Sequence, residues 1–462
     1  MIIQKGIRQL FLDDEGIESI KGMKMVVNKP TKHLDNPIIK PDTAWENQCQ
    51  IYGTVLYDEG LFKMYYLTIP KNRGSKPLDM GNGHFRSPHT TLAAYAISKD
   101  GIHWEKPSLG QFPYDGDKSN NLLNIGWHNC EGIAVLHEPN EPKPQHRWKA
   151  FYWDHGSGGF EMRDGKPFCM EGAEDGIHVS FSPDGLYWTP YENNPVIKKY
   201  CDTNQNTVYD PKLGKYVAFS RFGFGRRLAR TESDDFMRWS EPQLVLECDA
   251  DDGEGTQIYG AGVDLYEELY LAMIWIYREG IDGKIDTQLA CSRDGIDWKR
   301  VGGRETWLEL GDDDSWEGGM IRSVGKILQY NDMLYIYYCA VHGPHGGPKF
   351  PKVERKTQSC IGLVTQRIDG FVSLDAGENA GIFTTKPFSF PDGDLHVNVD
   401  AKDGLLKVEI CEETGKLIAE SQTISVDSND VIIKWNHNIT YDGNVRLKFG
   451  GRKLKLYSYW FD

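Results

Sequence analysis

Five stretches of the chain begin with polar or acidic residues and run directly into an apolar segment. They are TAWENQCQIYGTVLY with Trp45, Glu46 and Asn47, IGWHNCEGIAVLH with His128, Asn129 and Glu131, CDTNQNTVYD with Asp202, Asn204, Gln205 and Asn206, GEGTQIYGAGV with Glu254, Gln257 and Tyr259, and DSWEGGMIRSV with Trp316, Glu317 and Arg322. Cleavage of a glycosidic bond needs converging carboxylates, because one acid protonates the leaving oxygen while a second activates water or attacks the sugar. The indole, imidazole and amide groups beside them suit the same task, since an indole face packs on a sugar ring and amides hold hydroxyls. Glu46, Asp202 and Glu317 are the catalytic candidates. Trp45, His128, Glu131, Gln205, Asn206, Arg221, Tyr259, Trp316, Arg322 and His342 are the candidates for binding substrate.

Residues so far apart in sequence meet only if the fold gathers the five stretches, and a repeat supplies the means. SKDGIHW ends at Trp104, SPDGLYW at Trp188, ESDDFMRW at Trp239 and SRDGIDW at Trp298, with a weaker fifth copy, TQRIDGF, ending at Phe371. The Asp residues at 100, 184, 234, 294 and 369 are spaced roughly 67 residues apart, compatible with a four-stranded blade carrying long loops. A turn followed by an aromatic run precedes each copy: YDEGLFKMYYL, EPKPQHRWKAFYW, YDPKLGKYVAFSR, YEELYLAMIWIY and YNDMLYIYYCAV. Helical periodicity is hard to find, and Gly or Pro interrupts most candidates. The chain is therefore expected to be all-β, with five sheets packed radially as a five-bladed β-propeller. The DGxxW corner is read as architecture: Asp accepts turn N–H groups, Gly tolerates positive φ and Trp packs between sheets.

After TTKPF the texture changes to short alternating hairpins, expected to form a small C-terminal β-sandwich over 388–462. The propeller is expected over 1–387, with a lead-in segment at 1–40. Loops from all blades then converge at one end of the central channel, where the first strand of each blade begins.

Composition limits the partners. A formal net charge of −15 without a cluster of basic residues disfavours nucleic acid and anionic membranes. No run reaches the ~18 apolar residues of a membrane span, and MIIQKGIRQLFLDDEG lacks an apolar signal segment. The nine scattered cysteines lack CxxC spacing, so reduced core thiols and a cytoplasmic location are expected. A carbohydrate is the expected partner. No cofactor and no metal are expected: GDDDSWEGG and CDADDGEG lack the spacing of a calcium loop, and His342 and His345 are read as loop histidines. Oligomeric state is not legible.

Five blades, acidic first-strand starts and a trailing sandwich resemble the five-bladed glycoside hydrolase superfamily of invertases, fructanases and arabinanases, families 32 and 43. AWENQCQ stands where the invertases carry WMNDPNG. The resemblance implies a nucleophile or base on the first blade, a charge-tuning acid on the second and the acid on the third. By location these roles fall to Glu46, Glu131 and Asp202, while Glu317 on the fifth blade has no counterpart. A glycosidase acting on small oligosaccharides or glycosides is the expectation. The alternatives are a glycoside phosphorylase of the same fold, with Arg221, Arg226, Arg227 and Arg322 available for phosphate, and a non-catalytic sugar-binding propeller.

Overall fold

A computed structural model describes residues 3–71, 78–79, 85–86, 91–126, 129–154, 159–163, 166–169, 175–345, 358–437, 439, 441 and 443–462. The described residues are all-β, with only short 3-10 turns at Pro144–His146, Ala250–Asp252 and Val301–Arg304. Five antiparallel units follow one another. Blade 1 holds Gln48–Asp58, Leu61–Ile69 and Leu92–Ser98, with Glu105 bridging Ile97 at its outer edge. Blade 2 holds Glu131–His137, Trp148–Asp154, Gly176–Ser182 and Thr189–Pro190, and blade 3 holds Asn206–Asp210, Lys215–Ser220, Leu228–Ser233 and Gln243–Leu246. Blade 4 holds Thr256–Tyr266, Leu269–Arg278, Ile285–Ser292 and the short outer strands Lys299–Arg300 and Thr306–Leu308. Blade 5 holds Met320–Ser323, Met333–Val341 and Cys360–Arg367, and Thr31–Lys32 from the N-terminal segment closes its outer edge.

The first strands touch in sequence around a ring, and blade 5 returns to touch the first strand of blade 1. The second strands explain the aromatic runs. Leu269–Arg278 is buried along nearly its whole length because neighbouring blades cover both faces, so apolar and polar residues do not alternate.

The corners between third and fourth strands are built alike. Asp100 Oδ1 accepts N–H groups from Ile102 and His103, Asp184 Oδ1 from Leu186 and Tyr187, and Asp294 Oδ1 from Ile296 and Asp297. A serine two residues earlier caps each turn, and the indole N–H groups of Trp104 and Trp298 donate to the carbonyls of Gly101 and Gly295. In blade 3 this job falls to Asp235 rather than Asp234, and Phe236 takes the left-handed position at φ 66° that glycine fills elsewhere. The neighbouring blade packs against the corner glycine: Tyr337 OH donates to Gly101 O at 2.9 Å, and Tyr65 OH to Gly185 O at 3.0 Å.

The expected boundary at 388 is corrected by strand pairing. Val372–Ala376 and Gly381–Thr385 already lie in the two sandwich sheets. The 1–40 lead-in is also divided, since Gln9–Leu10, Ile17–Lys21 and Met23–Val27 pair into the sandwich, while Thr31–Lys32 and the Ile39–Ile361 bridge join it to the propeller. The fifth corner has become the junction between the two bodies. Asp369 accepts from Tyr266 OH at 2.7 Å on one oxygen and from Ser458 Oγ at 2.5 Å on the other. Leu334 and Ile336 of blade 5 share one apolar core with Val397, Leu406 and Leu447 of the sandwich. The eight cysteines whose side chains are described form no disulfide, and all but Cys248 are buried.

Candidate functional site

The first strand of each blade starts at one end of the channel, and the antiparallel second strand finishes there. Glu46 and Glu317 precede first strands, but neither opens onto the channel. Glu46 is 0% exposed. Its Oε1 accepts from Tyr66 OH at 2.6 Å, and its Oε2 accepts from Lys106 Nζ at 2.7 Å and from the Asp42 N–H at 3.3 Å. Glu317 repeats the arrangement in blade 5: Tyr338 OH donates to Oε2 at 2.7 Å and Lys32 Nζ to Oε1 at 2.8 Å.

The two sites are copies of one device. Each glutamate follows a tryptophan, takes its hydroxyl donor from the second strand of its own blade, and takes its lysine from the blade's outer edge. Burial, reinforced by the facing carboxylates, pushes both Tyr66 and Tyr338 above the ordinary tyrosine range and keeps them as donors. Burial pushes Lys106 down, but the charge of Glu46 and the hydrogen bonds to Asp42 and Glu46 outweigh it and hold the ammonium above its usual value. Every carboxylate oxygen of the two is already held by a hydroxyl or an ammonium, which leaves neither glutamate free to protonate or attack a substrate. The assignment of Glu46 and Glu317 as catalytic is therefore corrected: they are structural ion pairs.

Trp45 and Trp316 belong to the same devices. Trp45 donates its indole N–H to Asn121 Oδ1 at 2.9 Å and meets Tyr114 edge-on, and Trp316 stacks on Tyr338. Gln205 and Asn206 are also withdrawn from substrate. Gln205 donates to the Thr203 carbonyl, while Asn206 donates to the Ala261 carbonyl and accepts from the Val263 N–H, stapling blade 3 to blade 4. His128 lies outside the described residues. His342 is 8% exposed, and neither ring nitrogen has a hydrogen-bond partner among the described residues.

Two predicted carboxylates do come together. Glu131 opens the first strand of blade 2, half-buried, with Asn129 Nδ2 3.3 Å from its Oε2. The next residue, Gly132, has φ 63°, and a Cβ there would sit 2.3 Å from the Thr203 carbonyl oxygen and 2.9 Å from Asn204 Cα. Only glycine permits this backbone approach, which sets the start of blade 2 against the segment carrying Asp202. The Asp202 side chain is 49% exposed and lies 4.0 Å from Arg221. Tyr200 OH donates to Asp202 Oδ2 at 3.2 Å, and its ring packs edge-on at 4.9 Å against Trp153, the strand partner of Glu131. Burial first, then the charges of Asp202 and Glu131, push the Tyr200 hydroxyl up to about 12, so it remains a donor at neutral pH.

A wall of cations and aromatics continues from this pair. Arg221 donates through Nε to the Tyr259 carbonyl at 3.0 Å, and its guanidinium lies 4.8 Å over the Tyr259 ring. Arg226 lies 4.6 Å over Tyr277 and binds Gln257 at 2.7 Å. His345 Nε2 is 3.1 Å from Tyr259 OH. Arg322 NH1 donates to Tyr52 OH at 2.7 Å, and Tyr52 stacks on Trp275. Of these, Tyr52, Tyr200, Gln257, Trp275, Tyr277 and His345 were not among the predicted binding residues, and Arg226 was named only for phosphate. The strand direction carries the missing signal: a second strand ends where the first begins, so Tyr277 and the Arg221–Arg226 loop reach the same mouth. No group of three or more metal-ligating side chains occurs among the described residues. The acidic turn at 249–252 is instead engaged by Arg304, which binds Asp249 at 2.7 Å, and by Arg300, which binds Asp252 at 2.8 Å.

No family model matches the chain. An invertase of Schizosaccharomyces pombe is 23% identical over 202 residues, a segment that spans 40% of this chain and 28% of the invertase. Among solved structures, an N-acetylgalactosamine deacetylase from F. plautii in complex with blood group B trisaccharide covers 75% of this chain and 96% of its own at 15% identity and a TM-score of 0.47. A fructofuranosidase from Schwanniomyces occidentalis complexed with fructose covers 94% of this chain and 97% of its own at 10% identity and a TM-score of 0.43. By its own strand pairing the chain is a five-bladed propeller with an appended β-sandwich, and it is similar to an invertase over a segment that spans 28% of that protein.

Proposed function

We propose that this protein is a glycoside hydrolase acting at the channel mouth, with Asp202 and Glu131 as its two reacting carboxyl groups. The observation that carries the reading is the contrast among the carboxylates preceding first strands. Those of blades 1 and 5 are sealed by a tyrosine and a lysine, whereas Asp202 of blade 3 is 49% exposed beside Tyr200, a hydroxyl on which the charge of Glu131 from blade 2 also acts. Glycosidic cleavage needs one group to protonate the leaving oxygen and one to activate water or attack the anomeric carbon. Tyr200 and Arg221 fix Asp202, and the Gly132 contact fixes the spacing between the two strand starts. Tyr259, with Arg221 and Arg226 behind it, supplies a ring face and donors for sugar hydroxyls. The partial likeness to the yeast invertase is in keeping with this chemistry.

A panel of aryl furanosides and pyranosides, assayed with and without phosphate, tests the proposal. Aryl alcohol release without phosphate supports hydrolysis. Release only with phosphate would transfer the site to phosphorolysis, and sugar binding without release from any member would leave a lectin-like propeller.

A further inference from the structure

The buried and half-buried arginines of the blades reach acids, Arg221 the half-exposed Asp202 at 4.0 Å, and Arg322 is the exception among the described residues. Arg230 pairs with Glu232 at 3.0 Å, Arg300 with Asp252 at 2.8 Å, and Arg278 with Asp286. Arg322, on the first strand of blade 5, is 6% exposed, yet no carboxylate among the described residues lies within ion-pair distance, and its Nε has no hydrogen-bond partner. Among the described residues its one side-chain hydrogen bond is NH1 to Tyr52 OH, and its ring neighbour is Tyr52. A guanidinium does not shed its proton, so burial cannot be relieved by neutralisation as it is for lysine or histidine. A chain with 67 acidic residues does not lack carboxylates to place there. The charge faces Tyr52 of blade 1 at 4.9 Å, and Tyr52, Trp275 and Tyr259 form a continuous aromatic wall with Arg221 at its far end.

We infer that Arg322, at one end of this wall, is the anchor of a subsite for an anionic group, a carboxylate or a phosphate, belonging to the ligand that enters the channel. The arriving oxyanion takes the place of the absent acid, and the fork of guanidinium donors matches two of its oxygens. This deepens the reading above by giving the substrate class and rests on that reading only for the position of the site. Its test therefore uses binding rather than turnover.

Calorimetric titration and thermal unfolding of the full chain, at constant ionic strength, compare inorganic phosphate, galacturonate and neutral galactose. The expected result is saturable binding of phosphate or galacturonate that exceeds binding of galactose, is weakened about tenfold or more in Arg322→Gln, and is partly retained in Arg322→Lys, which keeps the charge without the fork. Preference for phosphate identifies a phosphate-bearing or phosphate-using reaction, and preference for galacturonate identifies an acidic sugar. Should Arg322→Gln fail to fold, the wild-type ranking of the ligands and the Arg322→Lys affinity still decide. Equal responses to all ligands, or anion binding unchanged in Arg322→Gln, overturn the inference while leaving the hydrolase reading to its own assay.

Discussion

Replacing Glu46 by Gln separates the two roles a buried carboxylate before a first strand can have. The side chain is fully buried and accepts from Tyr66 OH at 2.6 Å and Lys106 at 2.7 Å. Glutamine keeps the shape but turns one acceptor into a donor, so either Tyr66 or Lys106 loses its partner. Breaking a buried ion pair from one side costs about 3 to 5 kcal/mol. The lower end applies here, because Lys106 keeps Asp42 at 2.6 Å. With an unfolding entropy of about 2.1 cal/mol/K per residue, 462 residues melting together give about 1 kcal/mol/K, so 3 kcal/mol lowers Tm by about 3 °C. Scanning calorimetry reads this loss, and kcat/KM on the substrate from the glycoside panel is expected to stay within about threefold of wild type. Replacing Lys106 by Met in the same molecule should recover part of the stability, since the unpaired buried cation is then gone. A fall of 100-fold or more in kcat/KM with unchanged Tm would refute the structural assignment.

Other perturbations probe the elements that hold the site. Gly132→Ala forces a Cβ to 2.3 Å from the Thr203 carbonyl at φ 63° and is expected to cost about 3 kcal/mol and to lower turnover together with Tm, because the starts of blades 2 and 3 are pushed apart. Asp369→Ala leaves the Tyr266 and Ser458 hydroxyls without their acceptor at the junction, a loss of about 3 kcal/mol that should split one calorimetric transition into two. Burial raises the Asp294 carboxyl, but the N–H groups of Asp297 and Ile296 and the Ser292 hydroxyl outweigh it and hold the carboxyl below the usual range. A carboxyl depressed in the folded state contributes its stability above the unfolded pKa of about 3.9 and loses it as pH falls through the folded value. Asp294→Ala should therefore destabilise the protein at pH 7 by about 1 kcal/mol and flatten the loss of stability below pH 4, as followed by urea unfolding across pH.

The propeller was legible because its corners demand particular residues. An Asx turn with a left-handed position and an indole that reaches back leaves a signature in residue types, and only the shift from Asp234 to Asp235 blurs it, since Phe236 stands where glycine is expected. The sandwich boundary was less legible. Val372–Ala376 continues from the fifth corner without a change in texture, and its partner Met23–Val27 lies about 350 residues earlier, a pairing that no local pattern announces. Asp202 and Glu131 stood out in the sequence by their position at the starts of first strands, Asp202 as a catalytic candidate and Glu131 as a binding and charge-tuning one. The same rule also admitted Glu46 and Glu317, because sequence position does not tell whether a carboxylate faces the channel or a tyrosine one strand away. A signal was nonetheless present: the Trp-Glu pair occurs before the first strands of both blade 1 and blade 5, each followed about twenty residues later by a strand tyrosine, and what repeats between blades is architecture. Gln205 and Asn206 carried no such warning, as their amides are consumed by backbone groups of the turn just before them and of the next blade.

The central claim is that Asp202 and Glu131 perform the chemistry. Steady-state kcat/KM for Asp202→Asn and Glu131→Gln, measured on the preferred glycoside with circular dichroism confirming an unchanged fold, tests it most directly. Each variant is expected to lose about 100-fold or more, as removal of a general acid, base or nucleophile does. Wild-type kcat/KM in both folded variants would contradict it.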